Sequence, residues 1–587
     1  MTDKGQANTG AGGMRSVEGS PTPNVFPPPE SMRPTLVGSR YMVSAGHPIV
    51  AQVAALVLEQ GGTAIDAGVA GGITSNVVQV DMANFGGIAP TLVRMAGSDK
   101  VYSVAGVGTW GSDATIQAFR ERFGDDMPLG GAVALVPSAP AAWITTLARF
   151  GTWSFRDAAG PAIVLARDGF PLDQRTARAL RILGGGFSQW GSSRVIYWPS
   201  GRPPEEGEWL RQPKLAALLQ WMADAEVGAD RAGAFENVRR SFYEGEVARR
   251  IVEFVRADGG WLTLDDLAGF EAEVGPAPSY RYHGYRVYTT PTWTQGAVLL
   301  QALSILAGCD LERMGHNSAD YIHFVIEALK VAFSERERYY GDPRFVEIDL
   351  DWLLSDGHAD QLRGLIRQGT ALPNLPTLER KTKKRYDTTY LCVVDGAGNV
   401  FSSTPSDTLD GGPIIPELGI IVSPRGVQSR LDPAHPSALA PGKRPVVTPA
   451  PALALGEETE IDHAVWAFGC PGGDMIIQAM LQAFLNRLHF DMSPQQAVEA
   501  ARVATFSFPV SFFPNVEVSG RLSLEGRIPE QVRESLKGRG HNLYVWPDYE
   551  FDAGGVTMAL DLKPPSREGR VLAAAADPRR ICYAVGC

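Results

Sequence analysis

The residues with the most chemical promise lie around Thr388. The run Asp387-Thr388-Thr389-Tyr390-Leu-Cys-Val-Val-Asp395 places two hydroxyls at the head of a β-rich segment. Directly before it, Ala371 to Lys384 carries two prolines and a basic run, with little periodicity, and reads as an exposed linker. A threonine hydroxyl is a poor nucleophile and needs a base. A chain cut before Thr388 would supply one, because the freed α-amine has a pKa near 7.7–8.0 and is partly neutral around pH 7–8. A strand starting abruptly behind an accessible polar loop is what such self-processing requires. It is also what an ordinary domain linker produces, so the pattern alone leaves both readings open.

Other chemistries find less support. Gly106-Val-Gly-Thr-Trp-Gly111 matches GxGxxG between a strand-like and a helix-like stretch. A dinucleotide site would also want an acid about 20 residues on at a strand end, but Asp125-Asp126 fall in a turn signal. No GxSxG nucleophile elbow occurs. The five cysteines are scattered with no CxxC pair, and Cys392 and Cys470 stand in apolar surroundings as small core residues would. Nine histidines include no HExxH pair, so no metal is expected. A net charge of −11 argues against nucleic acid or an anionic membrane as the main partner, and no run of eighteen apolar residues is present. Residues 1–36, rich in Gly, Pro, Ser and Thr with no apolar core, read as a disordered leader rather than a signal peptide, which makes the cytoplasm the default location.

The elements around these residues can be outlined. His47 to Gln60 has helical apolar spacing and stops at Gly61-Gly62; Thr63 to Val80 reads as a second, buried helix. Thr91 to Met95 and Lys100 to Val104 read as paired strands. Helical patterns dominate from Ala139 to Ala257, and Ser318 caps a helix that runs to Tyr340. After Thr388 to Val394, Asp395-Gly-Ala-Gly-Asn399 reads as a hairpin turn into Val400 to Thr404.

The Thr-Thr pair, the Val-Val-Asp ending and the Gly-Asn turn resemble the start of the small subunit of γ-glutamyltranspeptidases. The resemblance runs from about Tyr41 to about Pro509. It takes in Ser44-Ala-Gly-His-Pro48, Gly61-Gly-Thr-Ala-Ile-Asp-Ala67, Phe85-Gly-Gly87, Val136-Pro137 and Leu165-Ala-Arg-Asp-Gly-Phe170. Further on come Glu327-Ala-Leu-Lys330, Arg336, Gly341-Asp-Pro343, Gly442-Lys-Arg-Pro445 and Pro471-Gly-Gly473. It implies an α/β fold of the N-terminal nucleophile hydrolase type, a four-layer αββα sandwich. It also implies a precursor that cuts itself between Asp387 and Thr388 into interlocked fragments, 37–387 behind the leader and 388–587. Thr388 would carry the acyl group, Thr404 and Ser406 would position it, and the Gly472 and Gly473 amides would hold the oxyanion. No cofactor is implied, and the partners are a small-molecule amide and an amine or peptide acceptor.

Three departures bear on substrate. Where glutathione-processing members hold the glutamyl α-carboxylate with an arginine, this chain has Val107. Their Ser-Ser pair after Lys-Arg-Pro reads Val447-Thr448, and an asparagine is replaced by Thr408. Where an acid holds the α-amine, Ser423 to Gln428 contains no carboxylate. Arg430 to Gly442 is short and proline-rich, leaving little chain for a lid. An open, less polar acyl pocket follows, as does amide hydrolysis or acyl transfer on an acyl group without the amino-acid head. The alternatives are a true glutathione hydrolase, or an uncleaved binding relative. Arg425 is either a partner for an anionic substrate group or a surface arginine in a turn.

Overall fold

The computed structural model describes residues 30–228, 230–372, 387–457, 464–562 and 569–587. Two seven-stranded sheets form its centre. One runs, in spatial order, through Leu36–Gly38, Leu572–Ala576, Thr557–Asp561, Val465–Gly469, Ala452–Gly456, Tyr285–Thr289 and Ser279–Tyr282. The other runs through Tyr583–Gly586, Tyr41–Ala45, Leu391–Asp395, Val400–Ser403, Thr91–Arg94, Val101–Val104 and Val274–Pro276. Both draw strands from either side of the Asp387–Thr388 junction, so a cut there leaves two fragments sharing continuous hydrogen-bonded sheets.

Strand alternation sets the layers. In Leu391–Asp395, Cys392 and Val394 face the apolar layer between the sheets, with Leu453, Val465 and Ala559 from the opposite sheet. Leu391 and Val393 face the other way, onto helices Pro48–Glu59 and Ala64–Val78. The far sheet is covered by Gly296–Leu306, Ala319–Tyr339 and Met475–His489. Helix, sheet, sheet, helix is the four-layer αββα sandwich expected.

The early helices begin where the sequence places them. His47 caps Pro48–Glu59, and Thr63 with Asp66 forms a capping box on Ala64–Val78. Ser318 caps Ala319–Tyr339. Two boundaries differ in detail. The described residues 30–36 of the expected leader contact the fold: the Met32 and Arg33 amides donate to Glu499, and Leu36 pairs with Ala574. The strand after the junction begins at Leu391, while Thr388 meets Ser406 in an isolated bridge. Residues 1–29 of the expected leader, and nearly all of the expected linker at 371–384, lie outside the described residues.

Candidate active site

The hairpin behind the junction is locked by its own turn. Asp395 Oδ1 accepts from the amides of Ala397, Gly398 and Asn399 at 2.9–3.0 Å, and its other oxygen accepts from Ala64 N at the head of a helix. Gly398 takes a positive φ of 97°, which a side chain would resist. The junction end is fixed from both sides. Thr389 N donates to Pro405 O, and Thr389 Oγ1 donates to Gln79. Gly86-Gly87 let the chain cross at close range, since a Cβ on Gly87 would lie 2.3 Å from Ser406 O.

The Asp387–Thr388 bond is intact in this structure. Thr388 is 1% exposed. Its Oγ1 lies 3.0 Å from Ser406 Oγ, and Ser406 Oγ donates at 3.1 Å to the Asp387 carbonyl, the acyl group of the junction bond. Arg425 Nη2 also donates to Ser406 Oγ. A guanidinium only donates and a carbonyl only accepts. The single Ser406 proton therefore goes to the Asp387 carbonyl, and the Thr388 hydroxyl donates to Ser406 Oγ.

Arg425 is 2% exposed, which overturns the surface reading. It does not wait for a substrate anion either. Nε pairs with Asp407 and Nη1 donates to Gln428 and Thr448 Oγ1. Asp407 holds a non-glycine φ of 109° and also accepts from Ser423 Oγ at 2.6 Å. A carboxylate therefore does stand beside Ser423, supplied by another part of the chain, but Arg425 neutralises it. Residues held in sparsely populated backbone regions concentrate at functional sites.

The glycine pair forms the opposite wall. Gly472 and Gly473 have φ of 128° and 59°, and their amides have no acceptor among the described residues. Both amides precede helix Met475–His489, whose dipole favours negative charge at that end. Gln295 Nε2 holds the arrangement by donating to Gly473 O and Thr448 O, and Asp474 is tied to Arg336 at 2.6 Å. Beside the glycines is a cavity of about 330 Å³ that also touches Asp387 and Arg580.

The remaining expected residues are placed differently. Thr404 is buried, but its hydroxyl has no partner among the described residues and does not reach Thr388. Thr408 turns to Asp410 at 2.5 Å. Val107 sits in a closed apolar cluster with Ile88, Ala105, Trp293 and Val447 and does not line the cavity. Thr448 serves the Arg425 network. Asp407, Gln295 and Arg580 were not singled out in the sequence.

Rival chemistries fare poorly. In the GxGxxG segment a Cβ would meet Ala89 O, Val136 O or Trp261 O at 1.9–2.5 Å, so these glycines permit close chain packing. Burial pushes the Cys392 thiol up to about 12 and the Cys470 thiol to about 11, leaving both protonated at neutral pH. His323, Glu327 and His541 cluster within 4.8 Å. There His323 spends its two ring nitrogens on His541 and Arg367 O, and Lys330 Nζ sits 2.7 Å from Glu327, where it would compete with a metal.

Residues 50–587 match the γ-glutamyltranspeptidase family model. The chain belongs to that family. Acylase ACY 1 proenzyme of Pseudomonas sp. (strain SE83) is 31% identical over 524 residues, covering 87% of this chain and 88% of that protein. Glutathione hydrolase-like YwrD proenzyme of Bacillus subtilis (strain 168) is 30% identical, covering 94% of this chain and all of that protein. The crystal structure of cephalosporin acylase from Bacillus halodurans superposes with a TM-score of 0.82 at 28% identity, over 96% of this chain and 99% of that one. As a member of the family, the chain is a self-processing amidohydrolase or acyltransferase of the N-terminal nucleophile type.

Proposed function

We propose that this family member cuts itself before Thr388 and then hydrolyses amides through an ester on the Thr388 hydroxyl, with an acyl group that lacks the α-amino-acid head. The observation that carries the reading is Ser406, which contacts both the Thr388 hydroxyl and the carbonyl of the junction bond. In maturation Thr388 Oγ1 attacks the Asp387 carbonyl, the C–N bond breaks with its nitrogen taking a proton, and water opens the resulting ester. The freed α-amine of Thr388 then serves as base for the second reaction. Gly472 and Gly473 offer unengaged amides to the tetrahedral oxyanion. An amine acceptor in place of water would give acyl transfer.

The acyl preference is supported by what surrounds the site. Val107 is enclosed in an apolar cluster, and Asp407 is already paired with Arg425, so neither end of a zwitterionic head finds a free counter-charge there. The acylase names of two relatives lean the same way. The test compares wild type with Thr388→Ala on a panel of acyl anilides. Wild type should mature and turn over neutral acyl groups, while the variant stays whole and inert. A variant that hydrolysed anilides at the wild-type rate would overturn the reading.

A further inference from the structure

Gln295 stands at the head of helix Gly296–Leu306 and is fully buried. Its side-chain amide is spent entirely on neighbouring groups of the site. Nε2 donates to Gly473 O at 3.0 Å and to Thr448 O at 2.9 Å, while Oε1 accepts from Arg336 Nη1 at 3.3 Å. That orientation is forced, because the two carbonyls only accept and the guanidinium only donates. Arg336 is fixed in turn. It donates to Asp474, Ser511 Oγ and Pro509 O at 2.6–2.8 Å, and its guanidinium lies over the Phe333 and Phe508 rings.

Gln295 thereby joins the two walls of the site. Gly473 belongs to the oxyanion wall. Thr448 belongs to the nucleophile wall, since its hydroxyl accepts from Arg425 at 3.3 Å and Arg425 donates to Ser406 beside Thr388. The glycines cannot set this register themselves. Without a Cβ they range widely in φ, so their values of 128° and 59° must be held by tertiary contacts. The peptide between Gly473 and Asp474 is gripped twice, its oxygen by Gln295 and the Asp474 carboxylate by Arg336 and the Ser511 amide. Oxyanion donors work only when they are in place before the charge develops, and a displacement of about 1 Å costs about 10²-fold in rate.

We propose that Gln295, held by Arg336, is the positioning residue of the mature site and fixes the Gly472 and Gly473 amides relative to the Thr388 hydroxyl. Gln295 does not line the cavity, so it acts through the glycines and not on the substrate. The inference rests on the amidase reading above and adds what holds its oxyanion site in register. It also separates the two reactions of the chain. In maturation the carbonyl under attack accepts from Ser406, so Gln295 matters to turnover far more than to the cut before Thr388.

The experiment compares wild type with Gln295→Met and Gln295→Glu, which keep the side-chain length and lose the paired donors. Each full chain is purified, checked for cutting and thermal unfolding, and assayed on a neutral acyl 4-nitroanilide. The variants should be cut at close to the wild-type rate, with kcat lowered about 10²-fold and KM within about threefold. A straight-chain alkylboronic acid gives a readout that a purely structural role would not move. Thr388 Oγ1 bonds to boron, its proton passes to the α-amine, and a boron-bound oxygen takes the oxyanion place. The inhibition constant should rise by about the factor by which kcat falls. Variants that keep the wild-type kcat and boronate affinity overturn the inference. So do variants that never reach a folded, cut state, which would make Gln295 a folding residue. Gly473→Val reports on the amidase reading by itself: a cut but inert Gly473→Val leaves that reading standing, and a near-normal rate removes the oxyanion assignment and this inference together.

Discussion

Replacing Ser406 with alanine should slow maturation far more than it weakens the fold. Ser406 Oγ gives its proton to the Asp387 carbonyl at 3.1 Å while accepting from Thr388 and Arg425. The carbonyl oxygen gains charge as Thr388 attacks, and loss of one donor aimed at such an oxygen costs about 2.7–4 kcal/mol, or about 10²–10³ in rate. The stability cost is separate. Arg425 Nη2 loses a buried acceptor, worth about 1–3 kcal/mol. In a chain of 587 residues the unfolding entropy is large, so this lowers Tm by only about 1–3 °C. The assay follows precursor made by cell-free synthesis, scoring cut and uncut chain on denaturing gels over time, with thermal unfolding in parallel. Ser406→Ala should cut about 100-fold or more slowly with a nearly unchanged Tm, and Ser406→Thr should recover most of the rate. If Ser406→Ala matures within a few-fold of wild type, Ser406 does not polarise the junction carbonyl and the proton assignment is wrong.

Gly473→Val should lower turnover of the matured enzyme at least about 10²-fold, because a β-branched residue resists the φ of 59° that aims the amide; steady-state kinetics at near-normal rate would remove the glycine pair from the mechanism. Glutathione should be a poor substrate. Three missing head-group contacts at about 2 kcal/mol each amount to roughly four orders of magnitude, and a kcat/KM of about 10⁴ M⁻¹s⁻¹ or more would favour a true glutathione hydrolase. Burial, with the charges of Lys330 and His323, holds the His541 imidazole down to about 3. An unfolded histidine titrates near 6.5, so its neutral form stabilises the fold fully above that pH, and the contribution is lost as pH falls from about 6.5 toward 3. The Tm of wild type should drop over this window more steeply than that of His541→Gln, and parallel curves would refute the assignment.

Much of the framework was legible because it rests on local rules. The caps at His47, Thr63 and Ser318 and the Asp395 turn are short-range signals, and the alternation of Leu391–Asp395 is read directly from the chain. Thr388, Ser406 and Gly472-Gly473 are singled out by motif order, and the structure places the Thr388 and Ser406 hydroxyls 3.0 Å apart. What escaped was long-range pairing of charge. Asp407 meets Arg425 18 residues on, and Arg580 meets Asp387 across 193, so neither spacing carries a signal. Arg425 looked like a turn residue because its Ser-Pro-Arg-Gly setting says nothing of the Asp407 that buries it. The absence of an acid between Ser423 and Gln428 was correctly read but wrongly extended to the space around it, which another segment fills. Thr404 shared the hydroxyl pattern of Ser406 without sharing its reach.

The most direct test of the central claim is intact-mass analysis and N-terminal sequencing of the purified 63.2 kDa chain. The account predicts two fragments, the smaller beginning Thr388-Thr389-Tyr390, and a Thr388→Ala chain that remains whole. A smaller fragment beginning at any other residue, or a Thr388→Ala chain that is cut at the same bond, would contradict it.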